Sequence, residues 1–203
     1  MSQTIIVAGI GTEIGKTVVS AILTKALKAD YWKPIQSGDL DQGDAYWIQQ
    51  WVKHPNLTIW PSTYRLSQPL SPHTAAELDG ISIELNQFQK PASSQPLVIE
   101  LAGGLMVPIN DQQTNIDLIQ SLNAPVILVS KNYLGSINHT LLSFEMLKQR
   151  GISILGIVFN GPENPSGEKF ILNYTQLPLL LRVNEEQKID DSIIDHYAQQ
   201  VHL

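Results

Sequence analysis

The stretch TIIVAGIGTEIGKT, residues 4–17, decides the fold. Thr4 to Ala8 is a short apolar, β-branched run with no polar alternation, the pattern of a strand covered on both faces. It runs straight into Gly9-Ile10-Gly11-Thr12-Glu13-Ile14-Gly15-Lys16-Thr17, after which residues 16–29 place Val19, Ile22, Leu23, Ala26 and Leu27 on one helical face. Strand, glycine loop and helix together make a phosphate cradle. Glycines let backbone N–H groups turn inward, a lysine reaches the terminal phosphates, and the next hydroxyl coordinates Mg²⁺. Lys16 and Thr17 occupy those places. The strict pattern wants glycine five residues before Gly15, where this chain has Ile10 between Gly9 and Gly11, so the match is to a one-residue-longer variant. The competing reading is a plain strand-to-helix turn in which Gly15 only lets the backbone bend. The pattern as a whole predicts binding of a nucleoside triphosphate.

Working outward, similar apolar runs recur at Asp30 to Ile35, Leu97 to Leu101, Pro125 to Ser130, Ile152 to Phe159 and Leu177 to Val183, with room for helices between them. Residues 137–149 repeat the amphipathic pattern through Ile137, Leu141, Leu142, Phe144 and Leu147. This alternation predicts a P-loop-type, doubly wound α/β fold with a mainly parallel sheet and helices on both faces. The 203 residues are expected to form a single domain, 1–203, with an irregular and partly helical excursion at about 54–96, which is rich in Pro, Ser, Gln and Asn.

Composition narrows the function. The 13 Lys plus Arg against 19 Asp plus Glu give a net charge of −6, which is no footprint for a nucleic-acid backbone. Zero cysteine excludes disulfides, thiolate metal sites and cysteine nucleophiles, and fits a cytoplasmic protein. No apolar run approaches the roughly 18 residues of a membrane span. The opening MSQTIIVAGIG has neither a basic segment nor a small-residue cleavage site, so the mature protein is expected to start there.

A metal-binding acid is expected at the end of a neighbouring strand, and Leu97-Val98-Ile99-Glu100 supplies it in a Walker-B-like arrangement. Glu100 would join Thr17 and the phosphates around a hard, oxygen-preferring cation; the alternative is a strand-end glutamate paired with a lysine. Ala102-Gly103-Gly104 follow, small enough for backbone to lie against a ligand.

The spacing Gly9-x5-Gly15-Lys16-Thr17, with Thr12-Glu13 inside it, resembles the dethiobiotin synthetase family, the ATP-dependent carboxylases of biotin synthesis. Further blocks agree in order: Trp32-Lys33-Pro34-Ile35-Gln36-Ser37-Gly38, Ser71-Pro72-His73, and Pro125 to Val129 leading to Leu134-Gly135-Ser136-Ile137-Asn138-His139. Together they span about residues 5–160. The resemblance implies a Mg²⁺- and ATP-dependent ligase that joins 7,8-diaminononanoate and CO₂ into dethiobiotin through a carbamate and a carbamic-phosphoric anhydride, acting as a homodimer.

Residue by residue, the resemblance implies that Lys33 is the active-site lysine, with Lys16 and Thr12 beside the reacting groups, and that Ser37 binds the substrate amine or carbamate. Asp44 takes the place of a metal-binding aspartate alongside Thr17 and Glu100; an N-cap role for Asp44 is equally open and compatible. Nucleotide contacts would come from Glu13, Ile14, Gly15, Lys16, Thr17, Val18, Asp44, Glu100, Leu101, Ala102 and Gly103, with Asn160-Gly161 at the adenine. Gly135, Ser136 and Asn138 would hold the substrate carboxylate across the dimer interface. Ser136 is also readable as an N-cap, Asn160-Gly161 as a turn, and His73 as structural.

Three departures matter. Leu101 stands where the family writes Gly and is expected to narrow the cleft. Gly11 replaces a common Asp. After Pro178, Leu181-Arg182-Val183-Asn184 replaces a Gly-x-Ile-Pro turn, leaving Asn184, Glu185 and Glu186 as the adenine-loop residues. Two rival classes share the loop and sheet. A partition or positioning ATPase carries a signature lysine five residues before the loop lysine, where this chain has Gly11. An amidase-type synthase acting on another carboxylate needs a glutamine-hydrolysing domain or partner, for which this length leaves no room.

Overall fold

The computed structural model describes residues 3–203. Seven parallel strands form one sheet in the order β4-β2-β6-β1-β7-β8-β9, where β1 is Thr4–Gly9, β2 Asp30–Trp32, β4 Ile59–Trp60, β6 Leu97–Gly104, β7 Val126–Lys131, β8 Ile154–Asn160 and β9 Leu179–Val183. From β1 the chain crosses through α1 (Lys16–Leu27) to β2 on one side; from β6 it crosses through α4 (Asn115–Leu122) to β7 on the other. The direction of winding therefore reverses at β1, and in such sheets ligands bind beyond the carboxyl ends of the strands at the reversal.

Strand residues alternate between two cores, as a period of two requires. Ile6, Ala8, Ile99 and Leu128 join Ile116 and Ile119 of α4 and Phe144 of α5 (Ser136–Gln149). Ile5, Val7, Val98 and Val129 join Val19 and Ile22 of α1, Ile48 of α2 (Asp44–Trp51) and Ile194 of α7 (Asp191–Ala198). With both faces covered, every central strand reads as a continuous apolar run, which is why the sequence pattern worked there.

The expected strand 30–35 is instead two. Pro34 has no N–H to donate and ends pairing with the main sheet; β3 (Ile35–Ser37) then pairs in parallel with β5 (Tyr64–Leu66) as a separate two-stranded sheet. The stretch at 54–96 is more ordered than expected, since it supplies β4 to the edge of the main sheet, β5 to the small one, and α3 (Pro72–Asp79), whose N-cap is Ser71 with Pro72 in the first turn. Strands of two or three residues next to Pro61 leave too short a pattern to read. Helices α6 (Pro165–Thr175) and α7 also escaped the sequence reading. Among the described residues no helix is long and apolar enough to cross a membrane.

Candidate active site

Parallel register builds the floor of the site. Val7 pairs with Glu100 and Trp32 with Ile99, so the loop after β1, the acid on β6 and the residue after β2 arrive at one level. There Glu100 is 1% exposed and Lys33 6%. Lys33 Nζ lies 2.8 Å from Asp44 Oδ2 and 3.1 Å from Glu100 Oε1. The Thr17 hydroxyl contacts the carboxylates of both Asp44 and Glu100, at 2.9 Å from Glu100 Oε1. The Tyr31 hydroxyl donates to the other Glu100 oxygen, Oε2, at 2.9 Å.

Charge and burial compete in this corner. Burial alone would pull the Lys33 ammonium down, but the charges and hydrogen bonds of Glu100 and Asp44 more than restore it, leaving it above the ordinary lysine value. Burial would push the Asp44 carboxyl up, yet Lys33 and the Thr17 hydrogen bond hold it below its usual range. Among the described residues Lys16 has no direct carboxylate partner. Its Nζ donates to the Gly11 carbonyl at 2.7 Å, and burial, opposed by Glu100 and reinforced by Lys33, lowers it to about 8. The Tyr31 hydroxyl is raised well above its ordinary value, first by burial and then by the Glu100 charge, so it stays a proton donor.

The loop itself is held open by backbone conformation. Glu13 sits at φ +56° and Gly15 at φ +86°, left-handed geometry that is costly for a side chain and recurs at ligand-gripping loops. Asn160 Nδ2 donates to the Ile14 carbonyl at 2.8 Å and lies 2.1 Å from where a Cβ on Gly15 would sit. On the far side, Asn115 Nδ2 binds the carbonyls of Ala102 and Gly104 at 2.5 and 2.9 Å, fixing the backbone after Glu100.

These groups open into a cleft of ≈ 800 Å³ lined by Thr12, Glu13, Gly15, Lys16, Thr17 and Val18, by Lys33, Ser37 and Asp44, and by Glu100, Ala102 and Gly103. The Ser37 hydroxyl is enclosed and has no hydrogen-bond partner among the described residues. Two buried ammonium groups and two carboxylates meet in this cleft beside the glycine loop, an arrangement able to take a polyanion.

The AAA_26 family model, an AAA domain, matches residues 3–192. An ATP-dependent dethiobiotin synthetase of Christiangramia forsetii is 47% identical over 98% of this chain and 96% of its own length. One of Cytophaga hutchinsonii is 48% identical over 95% and 93%. The chain belongs to the ATP-dependent dethiobiotin synthetase family. That family is one of ligases. The synthetase fold is also that of a ParA family ATPase from Chlorobium tepidum (14% identity, TM-score 0.62, 98% of both chains) and of the cell division ATPase MinD of Pyrococcus furiosus (16%, 0.62, 98% of both). At such identities the likeness is one of fold alone.

Measured against the synthetase pattern, the remaining residues divide. Leu101 does not narrow the cleft: it is 2% exposed, packed in the core with Trp32 and Ile35, because strand alternation turns it away from the face that Glu100 presents. Ile14 is likewise buried, its side chain packed against Gly9 at the root of the loop. Asp44 is not the N-cap of α2; Gly43 is, and Asp44 stands in the first turn, where its charge still complements the helix dipole. Gly135, Ser136 and Asn138 lie away from the cleft at the start of α5, Gly135 at φ +98° as the N-cap. The Ser136 hydroxyl is buried and accepts the Tyr133 N–H at 3.3 Å, and the Ser136 N–H donates to the Tyr133 carbonyl at 3.0 Å. His73 bonds locally, through Thr74 at 3.2 Å.

The replaced turn after Pro178 is strand here. Leu181 and Val183 are buried, while Arg182 Nη2 binds the Gly161 carbonyl at 3.0 Å and Arg182 Nε pairs with Glu168 at 3.4 Å. Asn184 N–H donates to the Tyr197 hydroxyl at 3.0 Å, which in turn donates to Glu186 at 2.5 Å, tying this segment to α7; Glu185 is exposed. The synthetase cleft also has walls that the sequence reading missed. Trp47 and Trp51, stacked at 5.2 Å, line it beside Asp44. Their one readable sign is position, since residues three and seven after Asp44 share its helix face.

Proposed function

We propose that this chain is an ATP- and Mg²⁺-dependent dethiobiotin synthase, taking 7,8-diaminononanoate and CO₂ to dethiobiotin with release of ADP and phosphate. The observation that carries the reading is the pair of buried ammonium groups, Lys16 and Lys33, in one cleft; the names of the relatives supply the substrates. An amine of the substrate adds to CO₂, losing a proton and becoming a carbamate. A carbamate oxygen then attacks the γ-phosphorus, ADP leaves, and a carbamic-phosphoric anhydride forms. The second amine attacks its carbonyl carbon, closing the ureido ring and expelling phosphate.

Each intermediate is anionic at the reacting centre, so the protein's work is positioning and charge stabilisation. Lys16 and the loop N–H groups take the terminal phosphates, with Thr12, Glu13 and Val18 at the rim. Lys33 steadies the carbamate and the transferring phosphoryl group, and Ser37 offers its unpaired hydroxyl to the substrate amine or carbamate. Thr17, Asp44 and Glu100 would hold Mg²⁺. Their fit rests on chemistry: three oxygen-bearing side chains meet at one corner, while among the described residues no group of three or more His, Asp or Glu side chains forms a cage. That suits an ion that completes its shell with phosphate and water. Bound there, it would supply neutralisation of the triphosphate charge.

In this reading the chain is one P-loop domain acting as a cytoplasmic homodimer, with neither nucleic acid nor membrane as a partner. The turn at Gly135, Ser136 and Asn138 receives the substrate carboxylate from the other subunit, and Asn160, Gly161 and the segment Asn184-Glu185-Glu186 flank the adenine. The test is incubation with MgATP, labelled bicarbonate and 7,8-diaminononanoate. Labelled dethiobiotin is expected; ATP turnover that ignores the diamine and yields no ureido product overturns the reading.

A further inference from the structure

We propose that Tyr31 is a positioning residue for the cation corner, acting through Glu100. Tyr31 lies at the centre of β2, fully buried, level with Val98 on β6. Val98 and Glu100 are two residues apart and face the same side of the sheet, so the Tyr31 ring runs under α1 toward the Glu100 carboxylate. Its hydroxyl meets Oε2 at 2.9 Å, whereas Thr17 and Lys33 both meet Oε1, at 2.9 and 3.1 Å. The two carboxylate oxygens are thus divided: one is tied into the core, the other is turned to the site.

Without the hydroxyl, Oε2 is a buried charged acceptor with no donor among the described residues, and the carboxylate is free to rotate about its last bond. A charge-assisted hydrogen bond of this kind both stabilises the anion and sets its angle, and groups that orient a metal ligand change metal affinity without touching the metal. The inference rests on the reading of Thr17, Asp44 and Glu100 as the cation's ligands.

The test is Tyr31→Phe, which keeps the ring and removes the hydroxyl, with Tyr31→Leu as a second hydroxyl-free variant; both are compared at a temperature where circular dichroism shows them folded. Mn²⁺ affinity is read by electron paramagnetic resonance in the presence of saturating ADP. Each variant is expected to bind Mn²⁺ about tenfold more weakly, while ADP affinity in EDTA stays within about twofold of the parent. In a Glu100→Gln background the effect of Tyr31→Phe is expected to vanish, since the residue it acts through is gone. Unchanged Mn²⁺ affinity in Tyr31→Phe, or an equal loss in the Glu100→Gln background, overturns the role of Tyr31 alone. A parent protein whose ADP complex takes up no Mn²⁺ overturns the cation corner and the role of Tyr31 with it.

Discussion

Lys33 Nζ stands 2.8 Å from Asp44 Oδ2, and the same ammonium reaches Glu100, so a single ammonium pairs with two carboxylates at the floor of the cleft. Neither β2 nor α2 holds this corner by itself; each side chain is held by the charge of the others.

Replacing Lys33 by Met leaves Glu100 and Asp44 without their counter-charge. Breaking a buried pair from one side costs about 3–5 kcal/mol, and urea unfolding of Lys33→Met is expected to show a loss of that order. Turnover with the diamine is expected to drop by at least about 100-fold, and a variant with ordinary turnover removes Lys33 from the chemistry.

The lowered value of Lys16, about 8, makes nucleotide binding sensitive to alkaline pH. A bound polyphosphate favours the ammonium and raises its pKa. Between the free and bound values, binding takes up a proton, so affinity is constant below pH 8 and falls above it, by up to about tenfold per pH unit. Calorimetry of ADP binding between pH 7 and 9.5 reads this slope. Lys16→Arg, whose charge does not titrate in that range, is expected to lose the slope whatever its absolute affinity.

Gly15 is required twice over, by its φ of +86° and by the Asn160 amide packed 2.1 Å from its missing Cβ. Gly15→Ala is expected to strain the loop by roughly 1–3 kcal/mol and to weaken ADP binding accordingly. Asn160→Ala removes both the brace on the Ile14 carbonyl and the proposed contact at the adenine, so it is expected to weaken pyrophosphate binding and to weaken ADP binding further. A loss confined to ADP would assign Asn160 to the base and not to the loop.

Asp44→Asn keeps the shape of the first turn of α2 and removes the charge. Since Gly43 and not Asp44 caps the helix, thermal stability with ADP in EDTA is expected to change little beyond the loss of the Lys33 ion pair. The Mg²⁺ concentration giving half-maximal turnover is expected to rise at least about tenfold; a normal metal titration leaves Asp44 with its structural role alone.

What could be read from residue order was local. Thr4 to Thr17 announces strand, loop and helix because a covered strand has no polar alternation and a phosphate loop needs glycines before its lysine, and both constraints act within a few residues. Glu100 could be read from the end of its apolar strand, but Lys33, Ser37 and Asp44 became visible as candidates only through the family pattern, since a lysine before a proline or an acid at the head of a helix has many uses. The same chain order gave no sign that Leu101 turns into the core, that Pro34 splits one strand between two sheets, or that Tyr31 reaches Glu100. Those are settled by which strands lie side by side and at what register. β2 pairs with β6 across nearly seventy residues of chain, and pairings at such separation are decided by how both faces of the whole sheet are buried. The sequence by itself determined the phosphate loop and the covered sheet that carries it. Tertiary structure alone decided how one buried lysine, one tyrosine and two carboxylates share their charge and hydrogen bonds, because in a site shut off from water a side chain's state depends on the partners within reach.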